Sequence, residues 1–239
     1  MDTTDPFAAN IPMPTSARPL LGLTILVVED SRYACEALRL LCLRSGARIR
    51  RADCLRSARR HLRVYRPSVV LVDLGLPDGN GADLIEELHE AVPRVDGIIA
   101  ISGDPHLEAA ALAAGADGFM EKPVVSIGRF QEKVLSVLPL ERRPKGPRQV
   151  DNTSVTPDRL AYQDGMAHIA DVLDEGLTGH TLDYIAQFLS GLARSAGDPV
   201  LESAAKALAE KRALGKTAAS ETAQIAGLIQ TRLAEKIAI

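Results

Sequence analysis

Cysteine is scarce in this chain, with only three among 239 residues. So few cysteines argue against a small secreted scaffold held together by disulfide bonds. Cys35 and Cys42 lie seven positions apart in one predicted helix, about 10 Å along its axis, which is too far for a disulfide bond. Cys54 has no evident partner. We therefore expect three free thiols and a cytoplasmic location.

Long apolar runs and a leader pattern are also missing. No stretch of about twenty apolar residues occurs, so we expect no membrane span. Residues 1–19 are rich in proline and lack the basic start and apolar centre of a signal peptide. We expect these residues to form a flexible tail.

Short apolar runs alternate with helical patterns between residues 24 and 138. This alternation predicts an α/β fold with a parallel sheet, in which the carboxyl ends of the strands line one crevice. Polar residues lie at the ends of four of the runs and are expected to meet in that crevice. They are Glu29, Asp30, Asp73, Ser102 and Lys122.

This set of side chains suits the chemistry of a phosphoryl group. Three carboxylates within about 4 Å repel by roughly 4 kcal/mol per pair at an effective dielectric constant near 20, so they ionise together only beside a cation. Mg2+ suits Glu29, Asp30 and Asp73 because it takes one or two carboxylates together with phosphate oxygens. Asp73 would be the nucleophile, while Lys122 and Ser102 would contact the transferred oxygens. The predicted product is a reversible acyl phosphate.

The motifs that contain these residues resemble, in order and spacing, the receiver domain of two-component response regulators. The resemblance spans about residues 20–139. It is carried by Val27-Val28-Glu29-Asp30-Ser31, by Val72-Asp73-Leu74-Gly75-Leu76-Pro77-Asp78-Gly79-Asn80-Gly81, by Ile101-Ser102-Gly103 and by Gly115-Ala116-Asp117-Gly118-Phe119-Met120-Glu121-Lys122-Pro123.

The resemblance implies a five-stranded parallel flavodoxin-like sheet with helices on both faces. It implies that Asp73 is the phosphoacceptor, that a sensor histidine kinase or a phosphotransfer protein is the donor, and that the bond before Pro123 is cis. Phe119 has two open interpretations, a switch aromatic or an ordinary core residue. The remaining implied roles are metal binding by Glu29, Asp30 and Asp73, phosphate contact by Lys122, and a switch hydroxyl at Ser102.

The composition changes after the receiver-like region. Residues 140–156 are basic and broken by proline, and are expected to form an exposed, semi-rigid linker. Residues 157–239 are rich in alanine and leucine and predict a C-terminal all-α helical bundle. Thr156 is expected to cap the first helix before Pro157, and Asp198 the third before Pro199. The four helices are expected at 157–175, 178–195, 198–212 and 217–237.

The charge of the second half argues against a nucleic-acid partner. Residues 151–239 contain eight lysines or arginines and twelve aspartates or glutamates, so their net charge is negative. A negative surface opposes the approach of a phosphate backbone. A protein output partner is expected instead, and the receiver resemblance also allows a homodimer.

The second predicted helix of the bundle resembles that of a histidine phosphotransfer domain. Gln187 occupies the position of that family's phosphoacceptor histidine, and Gly191 lies on the same helical face. A glutamine amide has no basic ring nitrogen, so this domain would not be a phosphotransferase. A dimerisation or docking bundle is the alternative. A further hypothesis is that Gln187 orients water and hastens hydrolysis of an acyl phosphate.

Two classes of function follow from the sequence. The first is a response regulator of a two-component phosphorelay, in which phosphorylation of Asp73 changes the contact with the bundle or with a protein partner. Such a protein would not be a conventional enzyme, although it would assist its own phosphorylation and dephosphorylation. The second class is a phosphorylation-independent scaffold or transcription regulator that uses the bundle.

Overall fold

The structure is a computed structural model that describes residues 13–146, 150–176 and 178–235. Its first half is a five-stranded parallel sheet in the order β2-β1-β3-β6-β7. The strands are β1 (Thr24–Val28), β2 (Arg48–Ala52), β3 (Val69–Asp73), β6 (Gly97–Ser102) and β7 (Gly118–Glu121), and a separate small hairpin pairs β4 (Gly75–Leu76) with β5 (Gly79–Asn80). The predicted α/β class and five-stranded parallel sheet are confirmed.

Helices cover both faces of this sheet. One face packs against α1 (Arg32–Ser45) and α5 (Ile127–Val137), the other against α2 (Leu55–Val64), α3 (Gly81–Glu90) and α4 (Glu108–Ala113). Alternate residues of each strand enter the two cores, as in Val70 and Leu71 of β3. Both faces are buried, which explains the continuous apolar runs of β1, β3 and β6.

Two local features differ from the sequence prediction. The sequence pattern predicts one helix over 105–114, whereas the chain forms a 3-10 turn over Pro105–Leu107 and becomes α-helical only at Glu108. The β4–β5 hairpin was not predicted, because its strands are two residues long and carry no periodic signal. Its turn places the Asp78 carboxylate against the start of α2, where it accepts the N–H groups of Leu55 and Arg56 at 2.8 and 2.9 Å.

The second half contains four helices that pack around one apolar core. They are α6 (Arg159–Glu175), α7 (Gly179–Ala196), α8 (Pro199–Ala213) and α9 (Ala219–Ala234). The core takes residues from all four, among them Ile169, Leu189, Leu208 and Ile225. The predicted helical bundle is therefore present, and we call α6–α9 the bundle below. Residues 236 and 237, where the last helix was expected to end, lie outside the described residues.

The start of the bundle corrects one prediction. Asp158, not Thr156, caps the first helix, because its carboxylate accepts the Leu160 N–H at 3.0 Å. Pro157 precedes the helix and is buried. The cap predicted at Asp198 is confirmed, since its carboxylate accepts the Leu201 N–H at 3.1 Å.

One residue near the end of the predicted linker is packed and not exposed. Val155 is only 4 % exposed and belongs to the core between the sheet, α1 and α5. Its N–H donates to the Val125 carbonyl at 2.9 Å, and the Thr153 carbonyl accepts the Ile127 N–H at 3.1 Å. The expectation of an exposed linker is therefore wrong at Val155, because its apolar side chain and the free backbone groups at the start of α5 hold it, whereas residues 152–154 and 156 are exposed as expected. Residues 147–149 lie outside the described part.

The structure also bears on the predicted free cysteines, the membrane spans and the N-terminal tail. Cys35 and Cys42 are buried free thiols and Cys54 is a half-buried one. None of the helices in the described ranges is long and apolar enough to cross a membrane. Most of the predicted tail, residues 1–12, lies outside the described residues. Within the rest of it, Arg18 donates its N–H to the Thr15 hydroxyl in a turn, and Pro19 is buried.

One carboxylate joins three helices of the bundle. Besides capping α8, Asp198 accepts hydrogen bonds from Tyr162 of α6 at 2.8 Å and from Arg232 of α9 at 2.7 and 3.1 Å. The hydrogen bond from Arg232 lowers the pKa of Asp198 from 3.8 to about 2. Its charged form therefore stabilises the folded bundle.

We predict that Asp198→Ala lowers the free energy of unfolding by about 2 kcal/mol, because it removes a helix cap and a charge-assisted hydrogen bond. Urea denaturation followed by circular dichroism measures this loss, with the exposed Asp171→Ala of α6 as control. Since the folded pKa is lowered, the difference from wild type should be complete above about pH 4 and shrink as pH falls towards 2. Equal stability of both variants at neutral pH would contradict the assignment.

Candidate functional site

The strand ends bring the predicted polar residues into one crevice. Glu29 and Asp30 follow β1, Asp73 ends β3, Ser102 ends β6, and Lys122 follows β7. All five line a single cavity of about 710 Å³. Because β1, β3 and β6 are adjacent in the sheet, residues far apart in sequence meet at its carboxyl edge.

The three carboxylates of the crevice form one cluster. Glu29, Asp30 and Asp73 each have an oxygen atom within 4.8 Å of the others. Glu29 is 1 % exposed and Asp73 is 5 % exposed. Lys122 Nζ lies 2.7 Å from Glu29 Oε2 and 2.8 Å from Asp73 Oδ2. One largely buried lysine therefore faces three carboxylates.

This excess of negative charge affects the pKa values of Glu29, Asp30 and Lys122. Burial, reinforced by Asp73 and Asp30, raises the pKa of Glu29 to about 8. Burial and the Asp73 charge raise the pKa of Asp30 to about 6. Burial alone would lower the pKa of Lys122, but the Asp73 and Glu29 carboxylates outweigh it and raise that pKa. The lysine stays charged, and the carboxylates remain short of positive charge.

The residues present fit Mg2+. Glu29 Oε2 is buried, and its contact with Lys122 lacks hydrogen-bond geometry, so this oxygen has no hydrogen-bond partner among the described residues. A hard cation that binds oxygen atoms would satisfy it and balance the cluster. Glu29, Asp30 and Asp73 are the residues that would hold the ion.

The predicted switch residues lie beside the cluster. Ser102 is buried, and its Oγ accepts the Asp104 N–H at 3.1 Å. Phe119 is buried in the apolar core on the α2–α4 side of the sheet. This position agrees with the interpretation of Phe119 as an ordinary core residue. Its role as a switch aromatic stays a prediction. The Lys122–Pro123 bond is cis, as expected.

Helix α7 of the bundle lies across the mouth of the crevice. The Tyr184 hydroxyl donates to Asp30 Oδ2 at 2.7 Å. Three residues later, the Gln187 amide rests against Gly75, the second residue after Asp73. At the far end, Arg194 donates to the Gly103 carbonyl. The bundle therefore touches the receiver-like half at the predicted site itself.

A second contact joins the two halves beside the crevice. Tyr33 of α1 is 7 % exposed and packs into the bundle core, with its ring edge-on to Tyr162 at a centroid distance of 6.1 Å. The neighbouring Arg32 pairs with Asp164 of α6 at 2.9 Å. An apolar anchor thus supports the polar contacts of α7.

Sequence reasoning found Gln187 and Gly191 on α7 but missed Tyr184 and Arg194. The four residues are spaced three, four and three positions apart, which places them on one face of a helix. That spacing was the available signal. The spacing does not indicate which surface of the protein this face of α7 contacts.

The sheet order and the acidic crevice of this chain are the features expected of a receiver-type α/β domain. In agreement, residues 25–134 match the family model of the response regulator receiver domain. These residues of the chain therefore form a response regulator receiver domain. The match ends before the bundle, so the likeness of the bundle to a phosphotransfer domain stays a prediction.

Two curated relatives align with this half of the chain, over a little under half of their own length. The KDP operon transcriptional regulatory protein KdpE of Escherichia coli is 32% identical over 112 residues, covering 46% of this chain and 48% of KdpE. The transcriptional regulatory protein CitB of Klebsiella pneumoniae is 39% identical over 108 residues, covering 43% and 45%. The chain thus spans about half the length of the curated relatives it matches.

A solved structure aligns over a similar share. The response regulator TrrA of Thermotoga maritima, solved with Mg(2+)-BeF, is 23% identical, with a TM-score of 0.45, covering 48% of this chain and 99% of TrrA.

We predict that Tyr184→Phe tightens Mg2+ binding about fivefold, because the docked tyrosine hydroxyl engages one of the two Asp30 carboxylate oxygens and a hydrogen bond of this kind is worth about 1 kcal/mol. Isothermal titration calorimetry near pH 8, above the pKa of Asp30, measures the affinity. Tyr65→Phe is the control, since its hydroxyl has no hydrogen-bond partner in the described chain. Unchanged affinity in Tyr184→Phe would mean that the metal does not need that oxygen.

Proposed function

We propose that this chain is a phosphorylation-controlled signalling protein of a two-component phosphorelay. Asp73 accepts a phosphoryl group from a sensor histidine kinase or a phosphotransfer protein in the cytoplasm, and the bundle responds to it. The observation that carries this proposal is the single crevice in which Asp73, Lys122 and the acidic pair lie directly beneath α7.

The geometry suggests a role for each group in the transfer. An Asp73 oxygen attacks phosphorus as the bond between phosphorus and the donor's nitrogen breaks. Lys122 already contacts Asp73 Oδ2 and would neutralise charge on the transferred oxygens. Ser102 Oγ accepts a backbone N–H, which leaves its own hydrogen to donate to a phosphoryl oxygen. Mg2+ bound by the three carboxylates would supply the remaining positive charge.

The position of the bundle suggests how the signal is transmitted. A phosphoryl group on Asp73 would place negative charge opposite α7, where Gln187 offers an N–H donor and Arg194 a cation. These contacts would tighten docking. Between phosphorylation events, the donor would reach Asp73 when the bundle is undocked, since both use the same mouth of the crevice.

The alternative is a scaffold or transcription regulator that works without phosphorylation. KdpE and CitB are named as transcriptional regulators, which is why regulation of transcription is considered as the alternative output. The negative charge of residues 151–239 disfavours direct contact with nucleic acid, and a protein partner fits this bundle better.

We predict that the full chain with Mg2+ and acetyl phosphate gains the mass of one phosphoryl group, and that Asp73→Ala abolishes the gain. Intact mass spectrometry detects the adduct. Asp53→Ala is the matched control, because Asp53 is an exposed carboxylate that follows β2 at the same edge of the sheet. An adduct that persists in Asp73→Ala, or never forms in wild type, would contradict the proposal.

We further predict that beryllofluoride with Mg2+ lowers hydrogen–deuterium exchange several-fold in the peptide that covers Gly191 and Arg194, because a phosphoryl mimic on Asp73 strengthens docking. Mass spectrometry of full-length protein measures the exchange, and Asp73→Ala should show no change. Arg194→Ala supplies the reference with weakened docking, since it loses the contact with Gly103. Identical exchange with and without the mimic would favour the phosphorylation-independent scaffold.

A further inference from the structure

Gln187 is a residue of α7 whose side chain faces the crevice beside the phosphoacceptor. It lines the same cavity as Asp73 and Lys122. A Cβ added at Gly75 would lie 2.8 Å from Gln187 Oε1 and nearer still to the amide nitrogen. The missing side chain at Gly75 is therefore what gives the amide its place, two residues after the phosphoacceptor.

Two anchors hold the amide in that place. Tyr184 is fixed on Asp30 about one helical turn before Gln187, and Arg194 is fixed on Gly103 about two turns after it. All three residues face the receiver. The position of α7 at Gln187 is thus set by contacts on both sides, as positioning of a small reactant requires.

The docked helix leaves room for the reaction. The cavity of about 710 Å³ lies between α7 and the strand ends, and Gln187 is still exposed within it. A phosphoryl group and several waters fit in such a volume, since a water takes about 30 Å³ of liquid. The backbone also comes close without blocking the space, because Gly191 faces Gly103 and Lys122.

The amide can guide water but cannot take the phosphoryl group. Its carbonyl oxygen accepts a hydrogen bond from water and its NH2 donates to an oxygen, while neither atom is a nucleophile at neutral pH. A glutamine held in this way orients attacking water in other phosphoryl-transfer sites. We propose that Gln187 positions the water that hydrolyses the acyl phosphate on Asp73, so that the bundle limits the lifetime of its own signal. This inference rests on the proposed function of Asp73.

The proposed step balances without a further reactant. The water oxygen bonds to phosphorus, and the bond between phosphorus and the Asp73 oxygen breaks. Asp73 leaves as a carboxylate with the bonding electron pair, next to Lys122. The proton of the water goes to the phosphate oxygens, and inorganic phosphate is the product.

The test is the decay of the phosphoryl group on full-length protein. The chain is loaded with acetyl phosphate and Mg2+, the donor is removed, and the adduct is followed by intact mass. We expect Gln187→Ala to lengthen the half-life about tenfold, less than the roughly hundredfold or more of a general acid or base, because the amide only orients the water. Gln230→Ala, an exposed glutamine on α9, is the matched control and should decay like wild type.

Loss of docking must be separated from loss of the amide. In Arg194→Ala, which weakens docking, adding Gln187→Ala should have little further effect, because a water positioned by the bundle needs the docked state. Gly75→Ala removes the space for the amide and should likewise slow decay, with no additional slowing in the double variant with Gln187→Ala. Hydrogen–deuterium exchange of α7 shows whether Gln187→Ala itself remains docked.

The outcomes distinguish the two proposals. If the adduct forms on Asp73 but Gln187→Ala remains docked and decays at the wild-type rate, the hydrolytic role is wrong and the proposed function stands. If wild type forms no adduct, both are overturned. Slow decay in docked Gln187→Ala, together with normal decay in Gln230→Ala, supports the inference.

Discussion

The contact of Lys122 with Asp73 and Glu29 is the interaction on which the rest of this structure depends. Four ionisable groups converge at the end of an apolar sheet, and burying them without compensation would cost several kcal/mol each. Lys122 lies within 2.8 Å of two of the three carboxylates and offsets part of that cost. One ammonium cannot balance three ionised carboxylates. That deficit makes the crevice a site for a divalent cation and for the chemistry of phosphate.

The same shortage of positive charge around the carboxylates also favours docking of the bundle. Tyr184 donates a hydrogen bond to Asp30, the carboxylate of the three that Lys122 does not contact. The contact is polar and short, so a change of charge in the crevice alters it directly. The packing of Tyr33 into the bundle core is apolar and does not sense that charge. Together they give an interface with one constant part and one part that responds to the state of the crevice.

Helix α7 combines two roles through its periodicity. Ile185, Leu189 and Leu192 are buried in the bundle core, while the face with Tyr184, Gln187 and Arg194 meets the receiver domain. A helix presents both faces at once because residues three and four apart share a side. The bundle core therefore sets the rotation of α7, and that rotation aims the polar face into the crevice.

The sequence by itself determined the receiver half in detail. Strands buried on both faces leave continuous apolar runs, and the polar residues at their ends meet because parallel strands share one edge, so the positions of Glu29, Asp73 and Lys122 could be predicted. The bundle helices followed from their composition. Only the tertiary structure decided that Tyr184 meets Asp30, 154 positions away, and that Val155 packs into the receiver core. Such contacts depend on how two preformed surfaces dock, and a single tyrosine or valine carries no periodic signal of its partner.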